Sequence, residues 1–300
     1  MRRVMLLGGL LAAGSLSVVA AQQPAAAPAG PKVIDILKLK DNLYVLTSST
    51  PGNAATFSGG NVAVFITDSG VTLVDDKLAG WGQAVLDKVK SVTNKPITRI
   101  INTHTHGDHT GNNNFFGASV EIVAQENTKA NMAKMDAFKG ESAKYLPTKV
   151  YSDKTSIGSG KDRIDLYYFG AGHTNGDTFV VFPALRVLHT GDMFAWKDGP
   201  LCDRNNGGSC VAFPRTLQRV VSEIKNVDTV IPGHSPMQTP KDVEQYQKFT
   251  ADLLSYATDQ MRAGKSVDEA TAGFKVDKYP GYKNERVRGA IQAVYDELKK

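Results

Sequence analysis

Thr103-His104-Thr105-His106-Gly107-Asp108-His109-Thr110-Gly111 places three imidazoles and a carboxylate within six residues, directly after the apolar run Ile97–Asn102. That run reads as a buried strand entered from the turn Asn94-Lys95-Pro96. On an extended segment residues two apart face the same side, so His104 and His106 point together. Gly107 then permits a turn that carries Asp108 and His109 toward a second position. Two metal ions held ~3.5–4 Å apart need ligands divided in this way. Imidazoles at this density gain nothing without a metal and repel once protonated, so the segment predicts a metal site and not a polar surface loop.

Moving outward, three more stretches share one design. His173 stands in Gly170-Ala171-Gly172-His173-Thr174-Asn175-Gly176-Asp177, Asp192 closes His189-Thr190-Gly191-Asp192, and His234 closes Ile231-Pro232-Gly233-His234. Each follows an apolar strand and lies beside glycine, where loops deliver side chains to a site at a sheet edge. The expected strands are Val33–Lys38, Leu43–Thr47, Asn61–Thr67, Val71–Val74, Ile97–Asn102, Val120–Val123, Ile164–Phe169, Thr178–Phe182, Val187–Thr190 and Thr229–Ile231. Asp68-Ser69-Gly70 is a hairpin turn, and helices are expected at Trp81–Val92, Gln125–Met135 and Pro214–Ile224. Such alternation predicts an α/β fold with sheets sandwiched between helices. After Pro240 the chain reads as mostly helical to Lys300.

The 300 residues, 41% apolar and 22% charged, exclude collagen-like, coiled-coil and wholly disordered chains. Residues 1–21 have the order of a secretory signal peptide: Arg2-Arg3, an apolar stretch from Val4, and the small residues Val19-Ala20-Ala21. Its removal would bring the formal charge from +5 to +3, because it carries two arginines and no acidic residue. Basicity this slight, without a long like-charge run, implies no nucleic-acid partner. The expected location is periplasmic or secreted, with no stable membrane insertion after cleavage. Residues 22–32, rich in Ala, Pro and Gln, read as a disordered lead-in; 33–239 as the catalytic domain; and 240–300 as a helical extension packed on it. Two cysteines, Cys202 and Cys210, cannot build a disulfide scaffold. In an exported chain a loop-closing disulfide between them is the first expectation, with two buried free thiols the alternative.

The segments Thr103–Gly111, Gly172-His173-Thr174, Thr190-Gly191-Asp192 and Pro232-Gly233-His234, in this order and together with the strand-turn-strand Asn61–Asp76, resemble the metallo-β-lactamase superfamily. The resemblance covers about Asn42 to His234 and implies an αββα sandwich of the metallo-β-lactamase type. It implies that His104, His106 and His173 bind one metal, that Asp108, His109 and His234 bind a second, and that Asp192 bridges both. Two Zn²⁺ ions suit imidazole and carboxylate ligands, and a water shared between them would be acidified to a pKa of about 7 and attack an acyl carbonyl. Asp108 would orient that nucleophile and take its proton. Asp75, at a strand end, would support a ligand histidine. His189 is left over as a packed residue behind the ligands. His106 stands where the flavodiiron branch carries a carboxylate, which favours zinc over di-iron.

The substrate class is less legible. Asp192 occupies a place where the best-known di-zinc β-lactamases carry Cys, and where glyoxalase II, lactonases and arylsulfatases carry Asp. The Ser48–Gly60 loop resembles the flap over the antibiotic in β-lactamases, with Phe57 as its apolar contact. The loop after Asp192 should border the cleft, with Trp196 as a wall and Lys197 or Arg204 as a partner for a substrate carboxylate. The expectation is an exported di-zinc hydrolase cleaving an acyl bond of a small molecule, a β-lactam, lactone or other ester or amide. A glyoxalase II-like thioesterase acting on S-acylglutathione is the alternative within enzymes. A metal-binding or sensory module is the alternative outside them, and it would predict a missing ligand.

Overall fold

The computed structural model describes residues 34–48 and 57–299. The signal-peptide and lead-in readings, and most of the Ser48–Gly60 loop, lie outside the described residues. Seven strands form a first sheet in sequence order: β1 (Ile34–Lys40), β2 (Leu43–Ser48), β3 (Val62–Thr67), β4 (Gly70–Val74), β5 (Ile97–Ile101), β6 (Glu121–Gln125) and β7 (Lys149–Tyr151). The first four run as antiparallel neighbours, and β4 to β7 are parallel. A second sheet contains β8 (Lys154–Ile157), β9 (Ile164–Tyr167), β10 (Phe179–Phe182), β11 (Val187–Gly191) and β12 (Thr229–Pro232), with only β11 and β12 parallel. The helices are α1 (Gly82–Lys90), the single turns α2 (Gly107–Thr110) and α3 (Asn113–Phe116), α4 (Glu126–Met132), α5 (Phe213–Glu223), α6 (Pro240–Arg262), α7 (Val267–Gly273) and α8 (Val287–Leu298).

Period-two alternation builds the layers. In β3, Ala63 and Phe65 face the second sheet, while Val62 and Val64 face α1. In β10, Val180 and Phe182 face the first sheet, while Phe179 and Val181 face the C-terminal helices. Strands buried on both faces must therefore be apolar throughout, as Phe179-Val-Val-Phe182 is. Helix α1 offers Trp81, Val85 and Val89 at four-residue spacing to one outer face. On the other outer face α5, α6 and α8 enclose Phe213, Leu217, Tyr246, Phe249 and Ile291. The result is helices, sheet, sheet, helices, as expected from sequence, with residues after Pro240 forming a helical extension. Pro240 starts α6 behind a capping box of Thr239 and Asp242.

Two strands escape the sequence reading, β7 and β8. Both are short outer strands, with the exposed lysines Lys149 and Lys154 and a single well-buried apolar side chain each, Tyr151 and Ile157. Sheet edges of that kind discourage pairing with other chains and carry little periodic signal.

The C-terminal ends of the parallel strands open on one side of the sandwich and bring several loops together there. Val74 pairs with Ile101, so Asp75 leaves β4 beside Asn102 and Thr103 leaving β5. On the second sheet Gly191 pairs with Pro232, so Asp192 emerges beside Gly233 and His234.

Candidate metal centre

Five of the six histidines and two aspartates meet at these strand ends. His104 Nε2 lies 3.2 Å from His106 Nδ1, which lies 2.9 Å from His173 Nε2. Beside this triad, His109 Nε2 is 3.2 Å from His234 Nε2, and Asp108 Oδ2 is 3.6 Å and 3.3 Å from the same two nitrogens. Asp192 stands between the triads: Oδ1 is 3.3 Å from His109 Nε2, and Oδ2 is 3.3 Å from His234 Nε2 and 3.6 Å from His173 Nε2. Donors bound at ~2.0–2.1 Å around a tetrahedral zinc stand about 3.3 Å apart, so both triads have the right span. Asp192 Oδ1 is also a buried oxygen without a hydrogen-bond partner, as a ligand atom should be.

The distal ring nitrogens of His104, His106, His109 and His173 are each engaged, which fixes the orientation of these four rings. His109 Nδ1 donates to Asp75 Oδ2 at 2.7 Å, and the same oxygen accepts the Thr103 hydroxyl at 2.8 Å. That hydroxyl in turn accepts from His104 Nδ1 at 3.0 Å. Asp75 Oδ1 accepts the Thr103 N–H at 2.7 Å, so one buried carboxylate holds a histidine of each triad. His173 Nδ1 donates to the Leu201 carbonyl at 2.8 Å, and His106 Nε2 to Asp203 Oδ2 at 2.7 Å. The converging nitrogens of these four rings are thereby left free to offer lone pairs to a metal.

The charges agree. Burial, then the neighbouring histidines His109 and His173, hold His104 well below its usual value, so it stays neutral. Burial opposes charge on His109 and His234 as well, yet the carboxylates Asp108 and Asp192 lift His109 well above its usual value and His234 to about 9. Against the cost of burial, the same partners bring Asp108 down to about 2. The two carboxylates favour positive charge here, and a metal cation would supply it where imidazolium otherwise must.

Local backbone explains the convergence. A Cβ at Gly233 would overlap Asp192 Oδ1, so glycine is required there for the His234 and Asp192 loops to touch. The His173 loop is held by Asp177, which accepts the Thr174 N–H at 2.8 Å and its hydroxyl at 2.7 Å. His189 is fully buried: its Nδ1 accepts the Gly191 N–H and its Nε2 donates to the Asn61 carbonyl, so it packs behind the loop that bears Asp192.

A cavity of about 630 Å³ opens over Asp108, Asp192 and His234, walled by Leu37, Phe57, Trp196 and Met237. Phe57 and Trp196 flank the His234 ring, with centroids 5.7 and 5.4 Å away. Lys197 is a correction to the sequence reading. Its ammonium turns to Asp242 at 2.7 Å, at the start of α6, and it is not part of the cavity wall. Arg204 is exposed in the loop and likewise does not line the cavity. Sequence reasoning missed Asp203, Arg286 and Lys77. Asp203 carries no signal beyond its place next to Cys202, and Arg286 lies in the extension that offered no motif. Lys77 is a fully buried lysine whose Nζ has no hydrogen-bond partner.

The sequence model of the metallo-beta-lactamase superfamily matches residues 55–234. The chain belongs to the metallo-beta-lactamase superfamily. A type 2 metallo-beta-lactamase of Elizabethkingia meningoseptica is 27% identical over 240 residues, covering 77% of this chain and 88% of that one. A metallo-beta-lactamase of Chryseobacterium indologenes is 23% identical over 222 residues, covering 72% and 87%. Among solved structures, a metallo-beta-lactamase from Pontibacter korlensis superposes with a TM-score of 0.61 at 19% identity, over 73% of this chain and 99% of that one. A stereoselective inverting sec-alkylsulfatase from Pseudomonas sp. reaches 0.74 at 14% identity, over 89% of this chain and 50% of that one. The protein is thus a metallo-beta-lactamase-family hydrolase of small molecules with clustered candidate metal ligands. Cys202 and Cys210 are disulfide-bonded, with Cα atoms 5.5 Å apart. No helix among the described residues is long and apolar enough to cross a membrane.

Proposed function

We propose that this protein is an exported dinuclear zinc hydrolase that cleaves the acyl bond of a small β-lactam, lactone, or other ester or amide. The observation that carries the reading is the pair of donor triads joined by Asp192 at the base of an apolar-walled cavity. His104, His106 and His173 would hold one ion, Asp108, His109 and His234 the other, and Asp192 both. When bound, two zinc ions supply Lewis acidity toward a carbonyl oxygen and acidify water. The chain does the rest. Asp108 faces the cavity and stays ionised, so its carboxylate can accept the attacking water's hydrogen bond and orient it. Phe57 and Trp196 seat the apolar body of the substrate against His234 and thin the water around the bond to be broken. Asp75 and Asp203 keep three of the histidines from rotating. The segment 1–21 supports export.

Metal analysis after zinc loading, joined to a panel of β-lactam, lactone, aryl ester, S-lactoylglutathione, phosphodiester and aryl sulfate, tests the reading. Two zinc ions per chain and turnover of one of the first three are expected, with metal and activity lost together in Asp192→Ala. Turnover of the glutathione thioester alone would make the protein a glyoxalase II-like thioesterase, and one ion or fewer would end the dinuclear assignment. Export is tested by the mass of the protein recovered from the periplasm of a bacterial host, which should begin at Gln22.

A further inference from the structure

Among the residues lining the cavity, the one with a permanent positive charge is Arg286. It lies outside residues 55–234, in the extension, at the cap position directly before α8. Its backbone is pinned to the loop after Asp192. The Arg286 N–H donates to Asp198 Oδ1 at 3.2 Å, and the Lys283 N–H donates to the Lys197 carbonyl at 2.9 Å. A Cβ at Gly199 would lie 2.8 Å from the Arg286 carbonyl carbon, so glycine there is what lets the two segments approach. Val287, the next residue, is buried in the helical layer. The guanidinium is thus held over the Trp196 ring, 3.8 Å from its centroid, while Trp196 faces His234.

Stacking uses the flat face of the guanidinium and leaves its edge, a fork of N–H donors, for another group. Arg99, Arg163, Arg186 and Arg219 each hold an acidic side chain, but among the described residues no carboxylate pairs with Arg286. The segments outside the described residues contain no Asp or Glu that could supply one. A positioned guanidinium without a counter-ion among the described residues, one indole ring away from the candidate metal ligands, is a receptor for a planar anion.

We propose that Arg286, stacked on Trp196, anchors a carboxylate of the substrate, so that the helical extension completes the substrate site and selects acyl compounds whose acid group is separated by an apolar body from the bond to be cleaved. The proposal rests on the hydrolase reading for the words substrate and cleaved, but the anchor itself is a binding site and is testable without turnover.

The two tryptophans are Trp81, buried under α1, and Trp196, so fluorescence reports the cavity. Zinc-loaded full-length protein is titrated with phenylacetate and with its neutral analogue phenylacetamide. The wild type is expected to bind phenylacetate at least tenfold more tightly. Arg286→Met should bring the two probes within about twofold by weakening phenylacetate, with zinc content and thermal midpoint unchanged, and Arg286→Lys should retain part of the preference. The proposal is overturned if the wild type shows no preference, if phenylacetate binding survives in Arg286→Met, or if both probes weaken equally. A protein that hydrolyses nothing on the substrate panel yet shows the preference would sink the hydrolase reading and leave the anchor standing.

Discussion

At the scale of single residues, the aspartates behind the histidines decide whether the donor nitrogens are ready. Asp203 accepts from His106 Nε2 at 2.7 Å and is itself held by Asn206, whose side chain donates to it at 2.7 Å. Removing such an outer carboxylate typically costs 10–100-fold in metal affinity. Asp203→Ala is therefore expected to weaken zinc binding in the triad of His104, His106 and His173 by about that factor, read by competition with a chromophoric chelator. An unchanged affinity would mean that packing alone orients His106. Lys77 predicts a pH effect. Burial brings its ammonium down to about 7, although Asp108 and Asp75 pull the other way, whereas in the unfolded chain it titrates near 10.5. Unfolding between those values takes up a proton, so the desolvation cost is fully present below about pH 7 and fades as pH rises toward 10.5. Lys77→Met should thus stabilise the protein most near neutral pH, with an upper bound of roughly 5 kcal/mol, and least near pH 10. Denaturant melts at the two pH values check this, and a difference that does not change with pH contradicts it.

At the scale of elements, the loop between Asp192 and α5 holds two of the candidate metal ligands in place and also walls the cavity with Trp196. The Leu201 carbonyl orients His173 and the Asp203 carboxylate orients His106, and between these two residues sits Cys202, bonded to Cys210. The Asp203 N–H also donates to the His173 carbonyl at 2.8 Å, and the Ser209 N–H to the Gly172 carbonyl at 2.9 Å. The disulfide therefore clamps the support of one triad. The double variant Cys202→Ser, Cys210→Ser should lose about 2–3 kcal/mol of stability through the freed loop. It should also lose affinity for one zinc ion while keeping the other. Loss of stability with both affinities intact would show that the clamp is independent of the site. The spacing of eight and the signal-like leader were enough to expect this bond, but its neighbours were not readable, because a carbonyl and a turn aspartate leave no pattern in a sequence.

At the scale of the whole molecule, seven ionisable candidate ligands are gathered from both sheets, so cations bound there would link the two halves of the sandwich. His104, His106, Asp108 and His109 follow the first sheet, while His173, Asp192 and His234 follow strands of the second. Metal that binds the folded state alone stabilises it by about 4 kcal/mol at a thousandfold excess over its dissociation constant. Chelation should lower the melting temperature by on the order of 10 °C, with zinc and not magnesium restoring it. A midpoint indifferent to chelator would mean that the ligand cluster bears no metal. The sandwich and the gathering of the histidines were legible in the chain alone, because period-two alternation and Gly-flanked polar residues after apolar strands are local patterns, and the resemblance of five such segments specified the superfamily. Which cation reaches the cavity was settled by tertiary packing, since Lys197 and Arg286 differ in their partners and not in their local sequence. Lys197 meets Asp242 from the start of α6, whereas Arg286 meets the open face of Trp196. Contacts between segments 45 and 90 residues apart depend on how the layers pack, and no short window of sequence contains them.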